Sequence, residues 1–209
     1  MLSEVLSGSL VTAALNAAGF STFSGLQYFT NAADTRTRGV DVTGRYGFVF
    51  GGGHELDLSL GYNHNETEIT SRKPTPAVLA GSNLVLIGRE SAGIIEQANP
   101  RSFSRLGLDY SFDSFSAHLA GLRYGTYKTF HTSNPALDQT YGEQYVVNLS
   151  ADYRFTQAFN ATLGVNNLFD SHPDKVRTAL RNPVVSLYSN LSPEGGAGSI
   201  YYARFNYSF

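Results

Sequence analysis

The feature that most constrains this chain is a side-chain period of two that recurs along it and runs on to the last residue. Counting back from the C-terminus, Phe209, Tyr207, Phe205, Ala203 and Tyr201 alternate with Ser208, Asn206, Arg204 and Tyr202. A period of two is the pattern of an extended strand with two different faces. The apolar face here is aromatic, and the chain stops on a Phe where a soluble domain would ordinarily fray into polar residues. Such a strand needs something greasy against one side and an anchor at its end.

The same alternation appears six more times. Val40, Val42, Tyr46, Phe48 and Phe50 alternate with Asp41, Thr43, Arg45 and Gly47, and Leu56, Leu58, Leu60 and Tyr62 with Asp57, Ser59 and Gly61. Gly51-Gly52-Gly53 joins these two runs as a turn; no helix follows it, so it is no phosphate cradle. Leu106 to Phe112 and Phe115 to Tyr124 make the next pair, Tyr145 to Phe155 and Ala161 to Val165 the one after. In Phe115–Tyr124 the apolar parity slips at Leu122 and Tyr124, which predicts a β-bulge near Ala120-Gly121. The expected strands cover about 24-50, 54-68, 102-112, 115-130, 143-156, 159-169 and 199-209, after an external loop over 1-20 that holds one short helix. That helix starts with Ser9 as N-cap, carries Leu10, Ala13, Ala14 and Ala17 along one stripe, and stops at Gly19. A helical turn is expected around Glu90 to Gln97.

Connections alternate short and long, as they do in membrane barrels with tight turns at one end and long loops at the other. Asp41, Arg45, Asp57, Arg105, Asp109, Asp152, Arg154 and Arg204 all fall on the polar parity of their strands. A charge facing lipid near mid-membrane costs roughly 2–4 kcal/mol, so this segregation is what a bilayer imposes. The expected fold is therefore all-β: an antiparallel up-and-down meander of about seven strands, an incomplete segment of a larger transmembrane β-barrel with long external loops. Bacterial single-chain barrels have an even strand number, and seven strands leave two bare edges.

Composition removes other classes. With 15 basic and 17 acidic residues there is no nucleic-acid footprint. The absence of Cys excludes disulfides, thiolate chemistry and Cys-based zinc sites. No run of 18 apolar residues exists, and the N-terminus has no positive region ahead of an apolar core, so neither a transmembrane helix nor a secretory signal is read. Asp113, Ser116 and His118 show no hydrolase order, and no catalytic or cofactor-binding residue is assigned. His64, Glu66 and Glu68 share a parity that could hold a divalent ion but fits a solvated strand tip better, so no metal site is assigned; His131 and His172 are unplaced loop histidines.

Several stretches, in order, resemble the C-terminal barrel half of TonB-dependent outer-membrane receptors. They are Tyr28 to Asp41 with Asn31 and Thr37-Arg38-Gly39-x-Asp41, then Asn99-Pro100-Arg101, Arg123-Tyr124-Gly125, Asp152-Tyr153-Arg154-Phe155 and Gly164-Val165-Asn166-Asn167-Leu168-Phe169-Asp170. Ser192-Pro193 through Phe209 completes the likeness. The family's barrel has about 22 strands closed around a plug. The resemblance implies a C-terminal fragment without plug or TonB box, located in the outer membrane of a Gram-negative bacterium. It would take part in TonB-dependent uptake of a scarce nutrient: siderophore-iron, haem, cobalamin or carbohydrate. Implied partners are outer-membrane lipid and lipopolysaccharide, the barrel assembly machinery, the N-terminal barrel and plug, the TonB complex through that plug, and the small-molecule nutrient. The eight charges would face the lumen, and Tyr201, Ala203, Phe205, Tyr207 and Phe209 would form the C-terminal assembly signal. Two alternatives stay open from the residues alone: a small self-contained porin or adhesin barrel, and a soluble β-sandwich binding protein.

Overall fold

The computed structural model describes residues 2–7, 9–20, 22, 25–74, 85–181 and 187–209. Its centre is a seven-stranded antiparallel sheet in the order β11-β10-β9-β6-β5-β4-β3. The strands are β3 (Ala33–Phe50), β4 (His54–Arg72), β5 (Ser102–Phe112), β6 (Phe115–Tyr124), β9 (Gln144–Arg154), β10 (Phe159–Asn166) and β11 (Ile200–Tyr207). Each pairs with the next in the chain, so the sheet is an up-and-down meander. The short β7 (Tyr127–Thr129) and β8 (Gln139–Tyr141) form a separate hairpin inside the connection between β6 and β9. Among the described residues the sheet does not close: β3 and β11 are each paired on one side only.

Three tight turns sit at one end. Gly52 and Gly53 take φ 87° and 86° between β3 and β4, and Asp113 takes φ 51° between β5 and β6. Residues 155–158 make the third. The described parts of the long connections, 73–74 with 85–101, 125–143, and 167–181 with 187–199, lie together at the other end. Helix α2 (Arg89–Glu96) sits in the first of these, and the β7–β8 hairpin in the second. No helix among the described residues is long and apolar enough to cross a membrane.

Register gives the sheet its two faces. Phe48, Leu56, Tyr110, Ala117, Ala151, Leu163 and Ala203 form one row across it, and Tyr46, Leu58, Leu108, Leu119, Leu149, Val165 and Tyr201 the next. Many of these side chains stay exposed, among them Tyr46 at 64%, Leu163 at 63% and Tyr201 at 75%. A soluble sandwich would cover such rows with a second layer; this sheet leaves them bare. The soluble-sandwich alternative is therefore set aside.

Several boundaries differ from expectation, each for a tertiary reason. The N-terminal segment is not wholly loop: β1 (Leu2–Ser7) pairs antiparallel with β2 (Gly25–Thr30), and the helix α1 (Ser9–Ala17) lies between them, ending ahead of Gly19 at φ 88°. The single strand expected over 24-50 is broken at Asn31-Ala32. There Ala32 turns inward, 3% exposed, against Leu86, Ile87 and Ala92. The bulge expected near Ala120-Gly121 is absent, since β5 and β6 pair without a slip from Phe103↔Tyr124 to Phe112↔Phe115. Leu122 and Tyr124 lie on the polar face because loops cover that end of it. A register shift occurs instead at Asp34/Thr35.

Candidate functional site

All eight charges singled out from the sequence fall on one face of the sheet. Asp41 lies opposite Asn63, Arg45 opposite Ser59, and Asp57 opposite Asp109. Asp152 and Arg204 share a row with Thr162 between them, Arg154 lies opposite Asn160, and Arg105 is flanked by Gly61 and Leu122. Three form contacts that matter electrostatically. Arg45 Nη2 donates to Asp57 Oδ2 at 2.9 Å, and Asp109 pairs with His118. Asp57 and Asp109 would repel one another as cross-strand neighbours; a guanidinium on one side and an imidazole on the other offset that. Asp152 accepts from Thr162 Oγ1, Arg154 Nη2 donates to the Asp113 carbonyl at 3.5 Å, and Asp41 accepts from Asn63. Arg105, His118, Asn148, Ser150 and Tyr202 line a recess of about 270 Å³ on the same face. Tyr202 lies flat there because its neighbour is Gly164, where a Cβ would come within 2.3 Å of the ring.

His118 was missed as a member of this face. Its signal was its place between Ala117 and Leu119, on the even parity that Ser116 and Ala120 share. Its ring turns to Asp109 and not to Asp113, so the hydrolase constellation of Asp113, Ser116 and His118 is not assembled.

At the loop end three connections are knitted into one crown. Arg89 of α2 grips both oxygens of Asp138, beside β8, and donates to the His131 carbonyl at 3.0 Å. The His131 amide donates to Asp138 Oδ1 at 3.1 Å, and Lys128 Nζ stands 3.9 Å away. The Arg89 hydrogen bonds, with help from the His131 amide and Lys128, hold the Asp138 carboxyl down at about 2; Asp138 in turn raises Arg89. Gln139 donates to the Lys175 carbonyl and accepts from the Arg177 amide, each at 2.9 Å, binding the hairpin to the third connection. Tyr127 stacks on Tyr141 at 4.6 Å and packs on Val176, and burial raises its phenol. Tyr124 donates to Glu194 and Ser192 Oγ to Gln144, drawing residues 192–194 onto the polar face. Between α2, the hairpin and residues 176–180 and 188–191 lies a cavity of about 720 Å³, lined in part by Glu90, Phe130, His131, Tyr141, Tyr188 and Asn190. His172 stacks on Tyr188 and is not among its lining residues, so the two loop histidines are not brought together as a pair.

The stretch Asn166 to Asp170 has a mechanical reason for its residue types. Asn167 adopts φ 56° and Asp170 φ 53°. The Asn167 side chain accepts from the Ser171 amide and donates to the Ser171 carbonyl, both at 2.8 Å, while its carbonyl accepts from Ser199 Oγ at 2.6 Å. Asp170 Oδ1 accepts from the Ser199 amide at 3.0 Å. The motif thus staples both ends of the last connection where the chain enters β11. In β11, Tyr201, Ala203, Phe205 and Tyr207 share the exposed apolar face, and Phe209 lies past the last paired residue.

His64, Glu66 and Glu68 lie on the apolar side, beyond its uncharged rows. Glu68 is taken by Arg36 and Glu66 by Arg101, the latter at 2.9 Å, so the acidic pair is committed to guanidiniums and not free for a cation. No group of three metal-ligating side chains occurs among the described residues.

An open antiparallel wall, charged on one side and greasy on the other, with turns at one end and a loop crown at the other, is part of a membrane β-barrel. Residues 8–168 match the family described as TonB dependent receptor-like, beta-barrel, and the chain belongs to it. That family is one of outer-membrane receptors and transporters of Gram-negative bacteria, which engage TonB and small-molecule ligands; it is not an enzyme family. A solved structure with the same fold is the ferripyoverdine receptor of the outer membrane of Pseudomonas aeruginosa bound to ferripyoverdine. The TM-score is 0.50 at 16% identity; the match covers 99% of this chain and 23% of the receptor. No curated protein matches the chain.

Proposed function

We propose that this chain is the C-terminal arc of a TonB-dependent outer-membrane receptor, and that the whole protein imports a scarce nutrient by an energised route. One observation carries the reading. In the sheet of a member of this family, every charge singled out above shares one face, and the other keeps uncharged rows exposed. On that reading the charged face lines the lumen, where Arg45, Asp57, Asp109 and His118 meet the plug, and the apolar face meets hydrocarbon. The dimensions agree. Tyr145, on the apolar face of β9, and Phe155, one residue past the end of β9 on the same parity, are ten residues apart, about 33 Å along a strand at about 3.3 Å per residue. At the usual tilt of about 40° this is about 25 Å of height, the thickness of a lipid-facing band. The aromatic face of β11 would then serve as the signal read by the assembly machinery. Among the family's nutrients, a ferric siderophore is the first to test, because the neighbour with this fold carries one.

Cells producing the full-length protein, supplied with radiolabelled ferric siderophores, test this. The expected result is saturable uptake that collapses on adding a protonophore or removing TonB. Uptake that persists without TonB would mean a passive pore and would overturn the reading. Spin labels on single-Cys variants, clean because the chain has no native Cys, test the faces independently. Leu58→Cys and Leu119→Cys should be accessible to oxygen, and Ser59→Cys to a water-soluble nickel chelate.

A further inference from the structure

Arg105 stands on the charged face of β5 without a partner. Three carboxylates on its own and the two preceding strands are engaged elsewhere: Asp109 with His118, Asp57 with Arg45 and Asp41 with Asn63. Among the described residues the Arg105 side chain makes no hydrogen bond or ion pair. Its guanidinium therefore keeps five N–H donors and a charge it cannot lose. Arg204 is also unpaired, but it lies outside the recess, opposite Thr162 toward the turn end.

The recess of about 270 Å³ is built beside Arg105 from three successive rows. Arg105 shares the first with Leu122 and Val146; Ala120 and Asn148 face one another in the second; His118, Ser150, Gly164 and Tyr202 make the third. Small residues form the floor. Ala120 is 3% exposed, and the bare Gly164 lets the Tyr202 ring lie over β10. The rim is rich in uncommitted donors. Asn148 Oδ1 accepts the Asn167 amide, which leaves its amide NH2 free. Among the described residues the side chains of Ser150, Asn166 and Tyr202 have no hydrogen-bond partner. His118 commits Nδ1 to Asp109, leaving Nε2. Toward the loops, Leu122 and the buried Val146 separate the recess from Tyr124 and Gln144, to which residues 192–194 are bonded.

Resting on the import reading above, we infer that this recess binds a carboxylate group carried by the imported solute. Arg105 supplies the fork that matches two carboxylate oxygens. The Asn148 amide, the Ser150 hydroxyl and the Tyr202 phenol supply neutral donors around it. One fixed positive charge among neutral donors balances a singly charged carboxylate, whereas a phosphate dianion would leave a charge unmatched. The recess, at about 270 Å³, falls below the range of about 300–1,000 Å³ that takes a drug-sized ligand. It therefore seats one arm of a larger solute and not the whole of it.

The test uses the full-length protein in detergent micelles, titrated with lactate, with lactamide (the same skeleton without the charge) and with inorganic phosphate. Ligand-observed NMR reads the binding. Lactate should bind saturably and at least tenfold more tightly than lactamide, with phosphate weaker than lactate. In Arg105→Gln the tenfold preference should vanish, and Tyr202→Phe should weaken lactate about two- to fivefold. Arg154→Gln, which removes a guanidinium from the same face outside the recess, should keep the preference. Equal binding of lactate and lactamide overturns the inference, and comparing them needs no variant to fold. Phosphate binding more tightly than lactate overturns it too. So does an absence of saturable lactate binding, the result expected if a carboxylate of the plug already fills the recess. TonB-dependent uptake with lactate and lactamide bound alike sinks this inference alone; TonB-independent uptake sinks the import reading itself, whatever the recess binds.

Discussion

Asn167 shows how a side chain can be chosen by backbone conformation and hydrogen bonding together. Its φ of 56° is left-handed, its residue is 7% exposed, and its amide group is spent on Ser171. Asn167→Ala should destabilise the chain in micelles by about 2–3 kcal/mol, from a strained φ plus unpaired partners. Asn167→Gly relieves the strain and should lose only about 1 kcal/mol, the hydrogen bonds alone. Chemical melts of the two variants check the order, and a Gly variant as weak as the Ala variant would show that φ is irrelevant. At this scale the eight charges were legible because strand parity is a local property. Arg123 was not. It faces the apolar side, but near its loop end, where Glu143 meets it; the sequence carries no marker of where the uncharged rows end.

Among the elements, the long strands were readable and the crown was not. A period of two needs only neighbours two residues apart, whereas β7 and β8 are three residues each and are defined by what packs on them. The break between β2 and β3 likewise depends on Leu86, Ile87 and Ala92, more than fifty residues away. The crown's hub is open to a direct test. Asp138 has its carboxyl held at about 2, against an ordinary 3.8. A depressed acid contributes stability that is complete above the unfolded value and lost as pH falls through the folded one. The junction of α2 with the hairpin should therefore be intact at pH 4 and above, and loosen as pH drops from about 3.8 towards about 2. The His131 amide, which donates to Asp138, should report this in NMR with a midpoint near 2. Asp138→Asn should abolish the transition and loosen the hairpin at neutral pH.

For the whole molecule, the question is what stands in for the second layer that a soluble sheet would require. Rows of Leu, Val, Tyr and Phe on one side, left bare, carry a large hydration cost, and the seven strands offer two unpaired edges besides. On the proposed reading, lipid on the apolar face and further strands at β3 and β11 would meet both requirements at once. Neither was visible in any single strand: the alternation of Leu106 to Phe112 would serve a half-buried soluble strand equally well. It is the agreement of seven strands about which parity carries charge that separates the two. Leu108 lies mid-row between Leu58 and Leu119 on the apolar face, while Ser150 lies on the other face between His118 and Gly164. Leu108→Arg should lower stability in a bilayer by about 2–4 kcal/mol if it sits at mid-membrane depth. Ser150→Arg, facing the polar side at a comparable height, should cost well under half of that. Denaturant titration of the full-length barrel reconstituted in vesicles reads both. The contrast should shrink when Arg is placed at Ser104, on the lipid parity but in the row of Arg123 and Tyr62 at the loop end. A penalty equal at Leu108, Ser150 and Ser104 would mean that no depth-dependent apolar medium lies against this wall.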